Sequence, residues 1–298
     1  MTTRPIQIDG GQGEGGGQVL RMGLAMAAIR GTPVEVHSIR AGRRRPGLQP
    51  QHLAAVRALA RVCHGRVEGD APGSMWLSFW PGTPTPGEYR FDIGTAGSAT
   101  LVVQALLPVL ATAGGPSRVS VRGGTHVPWS PPADYMREVL CPVLGAMGLD
   151  VRCETSAWGL YPAGGGELLV EIAGSTPLRP LSRLRSAGPL RVRGLSVVSR
   201  LSPEIAERQR DRAARRLQAA GLAADIAVRD VAARDPGTFV WLVVEAEGPL
   251  GGFSALGRRG VPAEQVADEA VDALLEFVRA DAGCDPHLAD QLILPMAL

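Results

Sequence analysis

Residues 1 to 175 contain an internal repeat, in which the same order of helix and strand patterns occurs twice. In each copy a glycine-containing loop leads into an apolar helical pattern, a short strand, a second loop, a second helix and further strands. The strand at residues 34–36 aligns with residues 119–121 of the second copy, 85 positions later. That period is too long for a solenoid repeat and is typical of duplicated α+β units. The sequence therefore predicts an α+β fold whose large domain consists of repeated units.

The loop that opens the first copy is rich in glycine, which occupies six of the eight positions from 10 to 17. A strand-like alternation precedes this loop, and an apolar helical pattern that contains Arg21 follows it. Because glycine has no Cβ, its backbone N–H group can approach a ligand closely and can adopt positive φ. The N-terminus of the next helix adds unpaired N–H groups and a positive dipole end. We expect phosphate to bind here; a tight turn that needs glycine only for its geometry is the plain alternative.

Gly11, Gly13 and Gly16 also match the G-x-G-x-x-G pattern of dinucleotide-binding Rossmann folds. Two features weaken that interpretation. Gln7 lies between two isoleucines, whereas a central parallel strand is apolar on both faces. The strand that begins at residue 34 also ends without the acidic residue that binds the ribose. A Rossmann oxidoreductase is therefore the third of the functions considered.

Composition excludes several classes of protein. All 31 basic residues are arginine, which excludes a Walker P-loop, Schiff-base enzymes and ligases that adenylylate a lysine. The net charge of +2 argues against broad coating of nucleic acid. The four cysteines form no CxxC pair, so we expect free thiols. No apolar run could cross a bilayer and no signal-peptide pattern opens the chain, which predicts a cytoplasmic protein without a membrane partner.

Arginines crowd together between residues 181 and 281, where the pattern is strand, helix, strand, strand and helix. We interpret this stretch as a smaller α/β domain inserted into the repeated domain, which then comprises residues 1–180 and 282–298. Residues 288–298 resemble the start of a third unit, a loop that enters an apolar helix. An apolar helix needs partner strands to cover it. We therefore expect that the third unit is truncated here or continues beyond Leu298.

Two groups of arginines are candidates for a site. Arg21 lies one turn into an otherwise apolar helix, and burying its guanidinium without a partner is costly. It either pairs with Glu14 or Asp9 or receives an anion, and we favour the anion. Residues 40–45 form a loop with four arginines that is either solvated or, through two of them, phosphate-binding, since a guanidinium fork suits phosphate. In the second copy, Trp129 and its neighbouring prolines form a wall for a nucleobase or simply pack.

Taken together, these motifs resemble the RNA 3′-terminal phosphate cyclase family over essentially the whole chain. The matching stretches are DGGQGEGGGQVLR at 9–21, IRAGRRRPGLQPQH at 39–52, GTAGS at 94–98, GGTH at 123–126, YPAGGG at 161–166 and LADQLILPMAL at 288–298. The resemblance implies three repeated α+β units, a domain shared with the enolpyruvyl transferases, and a small inserted domain.

The activity implied by this resemblance is the ATP-dependent conversion of an RNA 3′-phosphate into a 2′,3′-cyclic phosphodiester. A histidine attacks the α-phosphate of ATP and displaces pyrophosphate, AMP passes from the histidine to the RNA 3′-phosphate, and the neighbouring 2′-hydroxyl then displaces AMP. Each step is an attack at phosphorus, for which arginines, a helix N-terminus and a divalent cation, Mg²⁺ or Mn²⁺, spread the charge. The implied cofactors are ATP and that cation, the implied partner is RNA with a 3′-phosphate end, and a homodimer is compatible with the resemblance.

The resemblance also implies roles for individual residues. Its catalytic pocket corresponds here to Glu14, Arg21, Arg40, Arg43 and Gln51, with Glu14 as the metal ligand. Its nucleotide-binding positions correspond to Gln104, Pro131, His287, Leu288, Ala289, Asp290 and Gln291. The family more usually has tyrosine at the position of His287, so the stacking on adenine is expected to differ here.

The nucleophilic histidine of the family is expected after Leu298, and none of the five histidines in the sequence matches it. Residues 1–298 are therefore expected to bind nucleotide weakly and not to adenylylate themselves. A non-catalytic relative that acts as an RNA-processing or assembly factor is the alternative, because some family members lack the histidine. The intact set of glycines and arginines argues for the enzyme.

Overall fold

The structure is a computed structural model that describes residues 4–13, 15–174, 178–182 and 188–297. Its strands form three four-stranded sheets of mixed parallel and antiparallel pairing. Helices pack on one another and on the sheets to enclose the buried apolar side chains. This is the α+β class that the sequence predicts.

The first sheet is built by the first copy of the pattern. Its strands are β1 Ile6–Asp9, β2 Val34–His37, β3 Arg66–Glu68 and β4 Leu77–Trp80, and its helices are α1 Gly17–Arg30 and α2 Pro50–Val62. The strand order is β1-β2-β4-β3, with β1 and β2 parallel and the other pairs antiparallel. Because β1 is a largely exposed edge strand, it is unlike the central apolar strand that a Rossmann fold requires.

The second sheet has the same strand order and the same strand directions as the first. Its strands are β5 Glu88–Asp92, β6 Ser117–Gly123, β7 Val151–Ala157 and β8 Gly166–Ile172. The order is β5-β6-β8-β7, with only β5 and β6 parallel. The helices are α3 Ala99–Ala111, α4 Ala133–Tyr135, a π-helical turn Met136–Leu140 and α5 Cys141–Ala146. A duplicated unit would produce this match between the two sheets.

The third sheet occupies the arginine-rich stretch. It contains β9 Arg191–Ser199, β10 Ala223–Asp230, β11 Gly237–Glu245 and β12 Pro249–Leu256, with helices α6 Pro203–Ala219 and α7 Ala263–Ala280. Side chains alternate between its faces. One face packs on α6 and α7 in a cluster of its own, and the other, which includes Trp241, joins the main core. The assignment of residues 181–281 to a separate inserted domain stays a prediction.

Two strands were missed by the sequence analysis. β3 is only three residues long. β12 contains Gly251 and Gly252, which weaken a strand pattern because they carry no side chain. The structure explains Gly252: a Cβ there would lie 2.1 Å from the indole ring of Trp241 on the neighbouring strand.

The last helix, α8 Pro286–Met296, is anchored at its N-cap residue, Asp285. Asp285 is buried and accepts hydrogen bonds from the Tyr135 hydroxyl at 2.9 Å, from Gly252 N at 3.3 Å and from His287 N at 2.8 Å. The carboxylate thus ties α8 to the second unit and to the third sheet. This anchor places the polar residues of α8 beside α1 and α3.

Two further findings bear on the sequence predictions. All four cysteines are free thiols, as expected; Cys63, Cys141 and Cys153 are buried, and burial raises the pKa of each thiol. Across the described ranges, no helix combines the length and the apolar character needed to cross a bilayer.

Candidate active site

The glycine loop connects the end of β1 to the start of α1. Asp9 Oδ1 accepts a hydrogen bond from Gly11 N at 2.9 Å, while Gly13 and Gly15 have φ of 63° and 55° in the left-handed region. The N-cap residue of α1 is Gly16, which has no side chain to cap the helix. The first N–H groups of α1 are therefore left without a side-chain acceptor from their own cap, as an anion site requires.

Three side chains converge on the start of α1. A Cβ at Gly17 would lie 2.4 Å from His52 Nε2 and 2.9 Å from Arg21 Nη1, so only glycine fits at this position. A Cβ at Gly16 would lie 3.5 Å from Arg43 Nη2. The side chains come from α1, from α2 and from the arginine loop between β2 and α2. The fold thus brings Arg21 and Arg43 to the glycine loop.

Arg21 makes no hydrogen bond or ion pair with any residue that the structure describes. Burial lowers the pKa of its guanidinium to about 10, and the nearby charge of Asp290 only partly offsets this effect. The alternative pairing with Asp9 is wrong, because that carboxylate binds Gly11 N and lies 3.8 Å from His37 Nδ1. Glu14, predicted as a catalytic residue and metal ligand, lies outside the described residues.

Arg40 has a different role from Arg21. Its backbone has φ of 55°, and its Nη1 donates to the carbonyl oxygens of Arg45 at 2.7 Å and Gly47 at 3.0 Å. Burial and the charge of Arg43 lower the pKa of the Arg40 guanidinium. Arg40 therefore stabilises the arginine loop in one conformation, in which Arg43 reaches the start of α1.

His52 is a neutral hydrogen-bond donor at the same place. Burial, together with the charges of Arg40 and Arg21, lowers its pKa to about 3. Nδ1 accepts a hydrogen bond from Gln49 N at 3.1 Å, which completes the cap of α2. In a neutral imidazole the other nitrogen then carries the proton. The Nε2–H group of His52 therefore faces the start of α1 as a donor.

Gln51 joins the equivalent loops of the two units. Its Oε1 accepts a hydrogen bond from Ser98 N at 2.9 Å, and Ser98 is the N-cap residue of α3, whose side chain accepts from Leu101 N. The side chain of Gln51 therefore connects the start of α2 in the first unit to the start of α3 in the second.

The predicted nucleotide-binding residues lie on α3, on α8 and on the loop before α4. Gln104 on α3 donates a hydrogen bond to Gln291 Oε1 on α8, and its Nε2 lies 3.8 Å from Met136 Sδ. The carbonyl of Pro131 accepts from Thr100 Oγ1 at 2.8 Å. On α8, Leu288 is buried, whereas His287, Ala289 and Asp290 are exposed.

Gln18 is a residue of this region that the sequence analysis missed. Its Nε2 lies 2.8 Å from Asp290 Oδ1, which links α1 to α8. The signal was present, since Gln18 precedes Arg21 by three positions and residues with that spacing share one helix face. Arg21, Gln18 and Asp290 thus connect the glycine loop to the helix with the predicted nucleotide-binding residues.

The histidine of the GGTH motif, His126, has a structural role and does not line the candidate active site. His126 is buried; its Nε2 lies 2.7 Å from Asp134 Oδ2, its Nδ1 lies 2.8 Å from Thr125 Oγ1, and its ring stacks 4.1 Å from that of Trp158. Trp129 is 98% exposed, which contradicts the alternative in which its side chain simply packs.

Within the described part of the chain, no group of three or more His, Cys, Asp or Glu side chains could hold a metal.

Comparison with known proteins agrees with these motifs. The family model described as RNA 3′-terminal phosphate cyclase matches residues 12–298. Proteins of that name from Trichormus variabilis and Methylococcus capsulatus are each 45% identical over 98% of this chain and over 86% and 83% of their own lengths. One from Pyrobaculum neutrophilum is 43% identical over 98% of this chain and 85% of its own length. The chain therefore belongs to the RNA 3′-terminal phosphate cyclase family.

Proposed function

We propose that this protein converts the 3′-terminal phosphate of RNA into a 2′,3′-cyclic phosphodiester at the expense of ATP. The terminal phosphate binds at the start of α1. One observation carries this placement: Arg21 is a largely buried cation without a hydrogen-bond partner among the described residues, and it lies beside helix N–H groups that no cap side chain covers. Both features favour an anion.

The electrostatic cost of burying Arg21 indicates how strongly an anion would be held. The fall in its pKa from 12.5 to about 10 corresponds to about 3 kcal/mol. A phosphate in contact with the guanidinium would recover part of that free energy. Arg43 adds a second positive charge at Gly16, and the Nε2–H group of His52 adds a neutral donor.

ATP supplies AMP as the activating group, which by family resemblance passes through a histidine to the RNA 3′-phosphate before the 2′-hydroxyl displaces it. The residues at the start of α1 hold the RNA phosphate and neutralise its charge throughout. Glu14 is the proposed ligand of the divalent cation. Because none of the five histidines present matches the nucleophile, we assign that role to none of them.

ATP is proposed to bind where α3 meets α8. The amides of Gln104 and Gln291 and the carboxylate of Asp290 provide both donors and acceptors there. Pro131 and His287 are the proposed contacts of the adenine. The contact of α1 with α8 at Gln18 and Asp290 supports a nucleotide region that lies next to the phosphate region.

The test uses the polypeptide as its gene encodes it, with ATP and an oligoribonucleotide that ends in a 3′-phosphate. Expected products are AMP, pyrophosphate and an RNA end that resists phosphatase, and an oligoribonucleotide with a 3′-hydroxyl end should not react. Arg21→Ala should abolish conversion, whereas Arg30→Ala at the exposed end of the same helix should not. Full activity of Arg21→Ala would contradict the phosphate placement. RNA binding without any cyclic product would favour the non-catalytic relative.

A further inference from the structure

A surface patch beside the phosphate region combines exposed apolar side chains with arginines. Arg44 and Arg45 are exposed, and neither side chain has a hydrogen bond or ion pair with another described residue. Met75 and Trp76 are 41% and 48% exposed, which is unusual for such large apolar side chains. We call these four residues the loop patch.

The backbone holds the two halves of the loop patch together. Ile39 N donates to Met75 O at 2.9 Å and Leu48 N donates to Ser74 O at 2.9 Å, so the segment that precedes Trp76 pairs with both ends of the arginine loop. A Cβ at Gly47 would lie 2.1 Å from Gly73 O, which shows how closely the two segments approach. The patch is therefore a fixed part of the fold.

The loop patch is continuous with the phosphate region. Arg43, the neighbour of Arg44 in sequence, has its Nη2 atom 3.5 Å from the position of a Cβ at Gly16. The arginine loop thus contacts the start of α1 at one of its residues and presents the next two to solvent. A chain whose terminal phosphate lay at the start of α1 could leave the site along this loop.

The charges around the loop patch favour a polyanion. The acidic residues of the neighbouring strand and turn are already engaged, since Asp70 pairs with Arg57 at 2.9 Å and Glu68 pairs with Arg66 at 3.0 Å. Guanidinium groups bind phosphates, and an exposed indole offers a face on which a base can stack. Cationic groups interleaved with an aromatic ring are typical of single-strand binding surfaces.

We propose that the loop patch binds the single-stranded nucleotides immediately upstream of the RNA 3′-phosphate. Trp76 stacks on a base, Met75 lies against the sugar or base, and Arg44 and Arg45 contact backbone phosphates. This inference rests on the proposed function, because it takes the start of α1 as the place of the terminal phosphate. The loop patch thus binds nucleotides upstream of the 3′ end, whereas the start of α1 binds the terminal phosphate.

The test compares two ligands on the full chain: a ribonucleoside 3′-monophosphate and a 3′-phosphorylated hexaribonucleotide. Trp76→Ala should weaken the hexanucleotide by about tenfold, in line with the loss of one stacked base, and leave the mononucleotide unchanged. Trp76→Phe should restore most of the affinity because it keeps an aromatic face. Tyr161→Ala, at another exposed aromatic residue, is the matched control.

The arginines are tested by salt dependence. Replacing both Arg44 and Arg45 by Ala should reduce the slope of log affinity against log salt by about 1.4 for the hexanucleotide, since each phosphate contact on a single strand contributes about 0.7. Arg259→Ala, at an exposed arginine between β12 and α7, should leave the slope unchanged.

The outcomes separate the two proposals. If neither ligand binds, the proposed function fails. If the mononucleotide binds and Arg21→Ala abolishes that binding, the phosphate site stands. The loop patch is then refuted if Trp76→Ala binds the hexanucleotide as tightly as the unchanged protein, or if Tyr161→Ala weakens it instead.

Discussion

Gln18 on α1 and Asp290 on α8 are joined by a bidentate contact, with Gln18 Nε2 lying 2.8 Å from Oδ1 and 2.9 Å from Oδ2 of the carboxylate. The same carboxylate acts on Arg21 by raising its pKa against the larger effect of burial. The proposed phosphate region and the nucleotide-binding positions that the family resemblance implies therefore share one wall, formed by Gln18 and Asp290. The negative charge in that wall opposes an incoming phosphate, which leads to the first prediction.

Asp290→Asn should strengthen the binding of a ribonucleoside 3′-monophosphate by about two- to tenfold. The amide oxygen can still accept from Gln18, but the charge that repels the phosphate is gone, and one charge at this range is worth about 1 kcal/mol. Isothermal titration calorimetry measures the change, with Glu276→Gln on the exposed face of α7 as the charge-matched control. Weaker binding by the variant would show that Asp290 contacts the ligand directly.

His126→Ala should destabilise the protein by about 3 kcal/mol, because it leaves the buried Asp134 carboxylate with fewer partners. Burial raises the pKa of Asp134, but its bond to His126 and the charges of His126 and Arg137 outweigh this and hold it below its usual value. Urea denaturation gives the free energy of unfolding. His37→Ala, at an exposed histidine 3.8 Å from Asp9, should cost less than about 1 kcal/mol. Equal costs for both variants would contradict this account.

The stability of the protein should fall as the pH drops below 6.5, in part through His52. Its pKa is about 3 in the folded state, so the unfolded state binds the additional proton between pH 6.5 and 3. The stabilisation of the folded state that comes from neutral His52 is complete above pH 6.5. It is lost as the pH falls toward 3, at up to about 1.4 kcal/mol per pH unit. His52→Gln should flatten the profile of unfolding free energy between pH 6 and 4.5, whereas His287→Gln should not. An unchanged slope in His52→Gln would place the titrating group elsewhere.

Residues 1–298 by themselves should not become adenylylated when incubated with ATP labelled at the α-phosphate. His126 is buried in its pair with Asp134, and His52 uses Nδ1 in the cap of α2. The exposed histidines, His37, His64 and His287, do not match the family's nucleophile. Electrophoresis after alkaline and acid treatment detects the adduct. A labelled product that acid removes would show that one of these five histidines is the nucleophile after all.

The alternation of residues 6–9, the glycines that follow and the duplicated pattern were sufficient to predict the α+β class, most of the strands and an anion site at the start of α1. These features are local in the sequence. The periodicity of strands and helices and the conformational freedom of glycine are each set by a few neighbouring residues. Where that signal was short or interrupted, as in β3 and in the glycine pair of β12, the strands were missed.

The tertiary structure decided which of several similar side chains does what. Arg21 and Arg40 are the same type of residue, yet they differ in role. Arg21 is a largely buried cation without a hydrogen-bond partner among the described residues, whereas Arg40 donates to the carbonyls of its own loop. The partner of Gln18 lies 272 positions away along the chain. Charge, burial and hydrogen bonding depend on groups brought together from distant segments, and no local period in the sequence encodes which groups those are.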